Sequence, residues 1–377
     1  GYKAGENNTT HYQTFVGWEA GRTNSGSGYG CAAIGHQAQQ YATGQENVSC
    51  GGSAAKGSSS GSTGSYNTAM GGEALRDFTT SAWCTAIGRH ALRVLTTGNN
   101  NTGVGQGSFN GLTTGQYNTG LGSASSGATT TGSYNTALGW GTNNVTTGSF
   151  NVGVGHQALN ECIENGNNTA IGSRAMRYQR SPDNVAVGYH ALYGVTGGST
   201  STGRNVAIGY EAAKAITTGD HNVVLGYQAG DAITTGGNLI VLGTGAAASS
   251  ATVRDEVTLG NSSINNLRCA DTSISSLSDR RDKTDIVDLP VGLAFVNTLL
   301  PRQFKWKTRE GVPSKDGKVR AGFIAQELQE AEKGSEYLDL VYDSNPDKLE
   351  AKQGNLIPVL VKAIQELSAK VAALEAA

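Results

Sequence analysis

No run of eighteen apolar residues occurs in this chain, so nothing in it can cross a bilayer as a helix. Net charge is nearly absent too. With 28 Lys and Arg against 30 Asp and Glu, the 377 residues sum to −2, too weak a field to favour nucleic acid or an anionic membrane. Metal chemistry lacks its signature: Cys31, Cys50, Cys84, Cys162 and Cys269 are an odd five without ligand spacing, and the six histidines are scattered. Neither a metal nor a cofactor is expected. Paired carboxylates, which glycosidic cleavage needs, are missing from residues 1–250. That stretch holds 11 acidic and 11 basic residues, whereas the rest carries 19 and 17. The step in charge density marks a domain boundary near residue 250. No signal peptide opens the chain, and its first residue is Gly1, which reads as a trimmed piece lacking an N-terminal attachment segment.

What is plentiful is glycine, 54 residues, and much of it is periodic. A closing glycine recurs at Gly17, Gly35, Gly51, Gly71, Gly88, Gly105, Gly122, Gly139, Gly155, Gly172, Gly188, Gly209, Gly226 and Gly243, at steps of 16 to 21 residues and most often 17. Such a period describes a coil wound on itself. The residue before the glycine is always apolar, the one three before it is β-branched in every coil except at Ala32, and between them lies a small residue, usually Ala or Gly. This alternation predicts a five-residue strand. We expect the branched face to fill the coil, the bare face to pack on a second backbone, and two strands and two turns per coil. Asn stands four before the glycine in ten of fourteen coils. There it suits a left-handed corner and can stack into a hydrogen-bonded ladder. Cys31 and Cys84 occupy that Asn column and read as repeat substitutions. Segments such as Thr113–Gly115 supply turns.

These columns resemble the heads of trimeric autotransporter adhesins and the related repeats of phage tail fibres, over roughly residues 10–243. The resemblance implies three chains side by side, each a left-handed roll. Aromatic residues flank the strands. Tyr66, Tyr117, Tyr134 and Phe150 come just before the Asn column, and Trp18 and Trp140 just after the glycine. Stacking on one another is the plain reading, and contact with a receptor sugar is the functional one.

After residue 250 the text changes. "SDRRDKTDI" (Ser278–Ile286), "GFIAQEL" (Gly322–Leu328) and a closing helix resemble, in order and spacing, the endosialidase-type intramolecular chaperone at the ends of phage tail spikes and fibres. The resemblance implies that Ser278 and Lys283 form a dyad cutting the Leu277–Ser278 bond. A serine hydroxyl is inert until a base takes its proton, and an amine can do so only when neutral. The bland alternative makes Ser278 a helix cap with Asp279 in the first turn. Glu327 and Asp282 are candidate supporting groups, with salt bridging the plainer role. Independently, Ile357, Leu360, Ile364, Leu367, Val371 and Leu374 follow a 3, 4, 3, 4, 3 spacing, an a/d seam. Pro358 fits a first turn after Asn355 as N-cap.

The expected protein is mainly β. A trimeric parallel β-solenoid spans 1–243, a β-rich neck 244–277, and a small α+β self-processing chaperone 278–377, with a coiled-coil helix at 355–377. The expected function is a virion tail fibre or spike assembled in the host cytoplasm. Its partners would be two further copies of itself, other tail proteins, and a host-surface glycan or protein, without nucleic acid or membrane insertion. A polysaccharide-cutting tail spike and a bacterial trimeric adhesin are the alternatives.

Overall fold

The computed structural model describes residues 1–23, 29–161, 166–195, 203–264, 266–269, 278–306 and 317–377. Two compact units divide the chain, Gly1–Asn261 and Ser262–Ala377.

The first unit is one parallel sheet of fifteen strands, from Thr14–Val16 to Val257–Leu259, in strict sequence order. Fourteen inter-strand steps of about 4.8 Å make a stack on the order of 67 Å long. Register never slips: Thr102 pairs with Thr119, Gly103 with Gly120, Val104 with Leu121. The strands are three residues long, shorter than the alternation suggested. Each rung carries one such strand, and among the described residues its opposite wall is a run of turns with two isolated bridges.

The strand's orientation reverses the expectation. The small middle residue faces inward, with Ala69, Ala86, Ala137 and Ala170 fully buried, whereas the apolar residue before the glycine faces out, as at Ile34, Met70, Leu121 and Leu225. The opposite wall explains why. Three and four residues after the glycine, pairs such as Ala74–Leu75, Ala91–Leu92 and Ser108–Phe109 point in and are fully buried. The larger member adopts a left-handed backbone at φ near +49° in Leu75, Leu92 and Phe109. With that wall supplying the bulk, the strand facing it has room only for Ala or Gly. At Gly120 an added Cβ would stand 2.6 Å from the Phe109 ring. Interior volume is conserved rung by rung, as close packing requires.

Closing glycines are demanded twice over. Gly122 has φ +134°, and a Cβ there would lie 2.5 Å from the carbonyl oxygen of Gly139 in the next rung. The Asn column forms the expected ladder. Asn101 Oδ1 accepts the backbone N–H of Asn118 at 3.0 Å, Asn118 Oδ1 that of Asn135 at 2.9 Å, and Asn135 Oδ1 that of Asn151 at 3.0 Å. Except at Asn168, Nδ2 reaches a nearby carbonyl, as Asn118 does to Gly132 at 2.9 Å. These side chains are fully buried, so the bonds answer the cost of burying an amide. The left-handed corner falls one residue earlier than expected, at Tyr66, Trp83, Tyr117, Tyr134 and Phe150.

Cys84 is the weak link of the ladder. Its Sγ donates to Gly98 O at 3.5 Å, where Asn would present Nδ2. Burial pushes the thiol up to about 11, partly offset by the Asn101 backbone N–H aimed at the sulfur. The unfolded thiol titrates near 9, so the fold holds the proton more tightly. This contribution is complete below pH 9 and is lost as pH rises through 11, about 2–3 kcal/mol in all. Cys84→Asn should abolish that alkaline loss and add about 1 kcal/mol at neutral pH by supplying a stronger acceptor and donor. Thermal melts of both forms at pH 7 and pH 10.5 check this; parallel pH dependence in the two would refute it.

The second unit is built on α1 (Leu293–Val296), α2 (Ala325–Ala331) and α3 (Ile357–Glu375). Two antiparallel pairs join them, Arg302–Phe304 with Arg320–Gly322 and Val341–Tyr342 with Glu350–Ala351. Phe295, Leu328, Leu340, Leu356 and Val359 form the core. Glu366 on α3 accepts the Leu293 N–H at 2.8 Å, closing the start of α1. Asn355 does not cap α3. A 3-10 turn, Gln353–Leu356, leads into the helix, and the Asn355 amide donates to Leu338 O and Asp339 O.

Candidate functional site

Ser278 begins the described stretch 278–306 of the second unit. Asp279 is the N-cap of a 3-10 turn, Arg280–Asp282, its carboxylate accepting the Arg281 N–H at 2.8 Å. The cap therefore falls to Asp279 and leaves the Ser278 hydroxyl uncommitted to the turn. The single turn reverses the chain far enough to bring Lys283 back, with its Nζ 2.5 Å from Ser278 Oγ. Both side chains are exposed in the single chain. Leu277, on the other side of the bond in question, lies outside the described residues.

Arg281 grips Asp279 through side-chain bonds of 2.6 and 3.1 Å. Those bonds, with the backbone N–H, hold the Asp279 carboxyl below the usual carboxylate range and keep the guanidinium charged. A carboxylate beside the dyad is thus neutralised by its own neighbour and does not compete for the lysine. Chemically, the arrangement offers a nucleophilic hydroxyl in contact with an amine that can accept its proton when neutral.

Glu327 sits away from this pair. It takes three bonds from Arg302, between 2.8 and 3.1 Å, and these hold its carboxyl low. The "GFIAQEL" segment is structural: Gly322 ends a strand, and Ala325 and Leu328 are buried in the core on α2. Along α3, Val359 and Ala363 turn inward, while Ile357, Leu360, Ile364, Leu367, Val371 and Leu374 are exposed, between 42% and 77%. These six make an exposed apolar stripe on α3 in the single chain.

On the first unit the flanking aromatics stack along the rod. Tyr117, Tyr134 and Phe150 lie 5.0 and 4.9 Å apart within 9° of parallel, and Tyr66 stacks on Trp83 at 5.7 Å. Trp140 stacks on His156, and Trp18 on Tyr2. Ring faces inside these stacks are occupied by neighbouring rings, so the exposed parts are mostly edges. Sequence reasoning missed the largest exposed feature, the apolar column before each glycine. The signal was there in the Leu and Phe four residues after the glycine, which already fill the coil.

Residues 278–339 match the model of the family described as chaperone of endosialidase. The match begins on Ser278 itself. A comparison with curated proteins returns no match. The match, together with the β-solenoid rod, supports an endosialidase-type chaperone domain on a fibre-like protein.

Proposed function

We propose that this chain is a homotrimeric tail fibre or spike of a virus. Its rod faces the host surface, and its C-terminal unit assembles the trimer and then cuts itself free. The observation that carries the reading is the outer sheet face. Fifteen rungs present an apolar side chain before the glycine, and a single chain leaves much of this column in water. A stripe of that length exceeds what solitary soluble proteins expose, and two further copies are the partners that the chaperone match favours. The uncovered seam of α3 fits the same symmetry as a short coiled coil.

The tail has a physical task. Parallel rungs contributed by three chains must start in one register, and their pairing is non-local and slow to nucleate. A unit that trimerises first supplies the start. Removing it afterwards takes away the way back and leaves the rod kinetically trapped. In the cleavage step, Lys283 takes the Ser278 hydroxyl proton and Oγ attacks the Leu277 carbonyl carbon. The Leu277–Ser278 amide gives way to an ester with release of the serine amine, and water then hydrolyses the ester. The protein turns over once and acts on no outside substrate. Upstream, an N-terminal segment would join the rod to other tail proteins, and the rod surface would meet a host glycan or protein.

Native-state mass spectrometry of the expressed chain tests the reading. Three copies of a fragment ending at residue 277 are expected. A folded protein of one copy, whatever its cleavage state, would overturn it. Leu121→Asp, in the middle of the apolar column, should shift the assembly to single chains that aggregate on heating.

A further inference from the structure

We infer that the three chains close edge to edge, rung against equal rung. The column five residues before the glycine in one chain meets the column just after the glycine in the next. This inference rests on the three-copy reading and specifies the surface through which copies touch.

Outward side chains cross each rung in a fixed order: five before the glycine, three before, one before, and one after. The two middle columns, Thr or an aliphatic residue and then the apolar residue before the glycine, are the face, and the outer two are its edges. Three copies turning that face to a common axis form a closed cyclic ring, whose contacts are heterologous. One edge of each chain must then meet the opposite edge of its neighbour. Rotation about an axis along the rod leaves height unchanged, so each rung meets its own number. The side chains on the two edges can therefore be compared rung by rung, from residues already placed.

The residues facing across the seam vary by rung: where the first edge carries Tyr66 and Tyr117, the second edge of the same rung carries Gly72 and Ser123, and where it carries Tyr12 and Tyr134 the second edge carries Trp18 and Trp140, ring beside ring. Where the second edge carries rings, stacked at Tyr189, Tyr210 and Tyr227 with centroids 5.1 to 5.2 Å apart, the first edge carries Asp183, Arg204 and His221. Charge raises no conflict: Arg204 meets Tyr210, Trp83 meets Arg89, and no rung carries a charge on both edges. Guanidinium against an aromatic ring is favourable, the more so as water is excluded. All of these rings are exposed in the single chain, Trp83 at 57% and Tyr210 at 41%. The stacked aromatics are then seam elements that present their edges to the neighbouring copy.

Cross-linking of the full chain decides it, with exposed Cys50 and Cys269 replaced by serine. Asn100→Cys with Gln106→Cys puts one thiol on each edge of a single rung. Within one chain six residues of near-extended backbone separate them, on the order of 15 to 20 Å, so a short bis-maleimide joins them only between chains. Covalent trimers on a denaturing gel are expected from this pair. Neither single cysteine should cross-link, and neither should Asn100→Cys with Ser173→Cys, displaced by four rungs or about 19 Å. Native mass is read on the same samples. Three copies without same-rung cross-links, or cross-linking by either single variant, overturns the seam alone. One copy overturns the three-copy reading on which it stands.

Discussion

Ser278→Ala should leave one full-length band where the parent chain is expected to give two pieces, and Lys283→Ala should do the same. The loss should be at least about a thousandfold in cleavage rate, because nucleophile and base act as a unit and neither works alone. Geometry gives the two variants their meaning. Nζ lies 2.5 Å from Oγ, Asp279 rather than Ser278 caps the turn, and Arg281 already satisfies that carboxylate. Removing the hydroxyl therefore takes away the attacking atom without unpicking the turn. Intact mass at successive times after synthesis is the measurement. If both variants still break between residues 277 and 278, the dyad is wrong. If they remain whole but still trimerise, assembly and cutting are separate functions of the same unit.

Gly122→Ala is the second large effect. A methyl group there would enter a left-handed region and meet the backbone of Gly139 at 2.5 Å from its oxygen. Backbone cannot swing aside as a flexible side chain would. Strain of about 1–3 kcal/mol from the dihedral adds to the loss of rung contact, for a total on the order of 4 kcal/mol. Gly127→Ala is the control, since a Cβ there meets nothing nearer than 3.6 Å. Thermal unfolding and limited proteolysis should separate the two variants clearly. Equal stability would mean that adjacent rungs are not held at the spacing described.

Much of this fold was legible in the text. The recurring glycine gave the winding, the Asn column the ladder, and the 3, 4, 3, 4, 3 spacing the exposed stripe on α3. What could not be read was which way the strand faced. Alternation of branched and small residues specifies two faces without saying which is inside. The answer lay in Leu75, Leu92 and Phe109 on the opposite wall, in left-handed conformations that sequence patterns disfavour for large residues. At Ser278 the residue types were legible through resemblance alone. The contact with Lys283 depends on a single 3-10 turn, capped by Asp279, which no periodicity announces.

The unbroken sequence order of the sheet bears on how such a protein can change. Each rung's strand pairs only with the one before and the one after, so energy accumulates largely one step at a time. Excising a whole period, residues 106–122, would rejoin Gly105 to Ser123 in matching positions and shorten the shaft by about 4.8 Å. The molecule is in this sense a ruler graduated in rungs, whose reach can be reset by copying or deleting a graduation while both ends keep their chemistry.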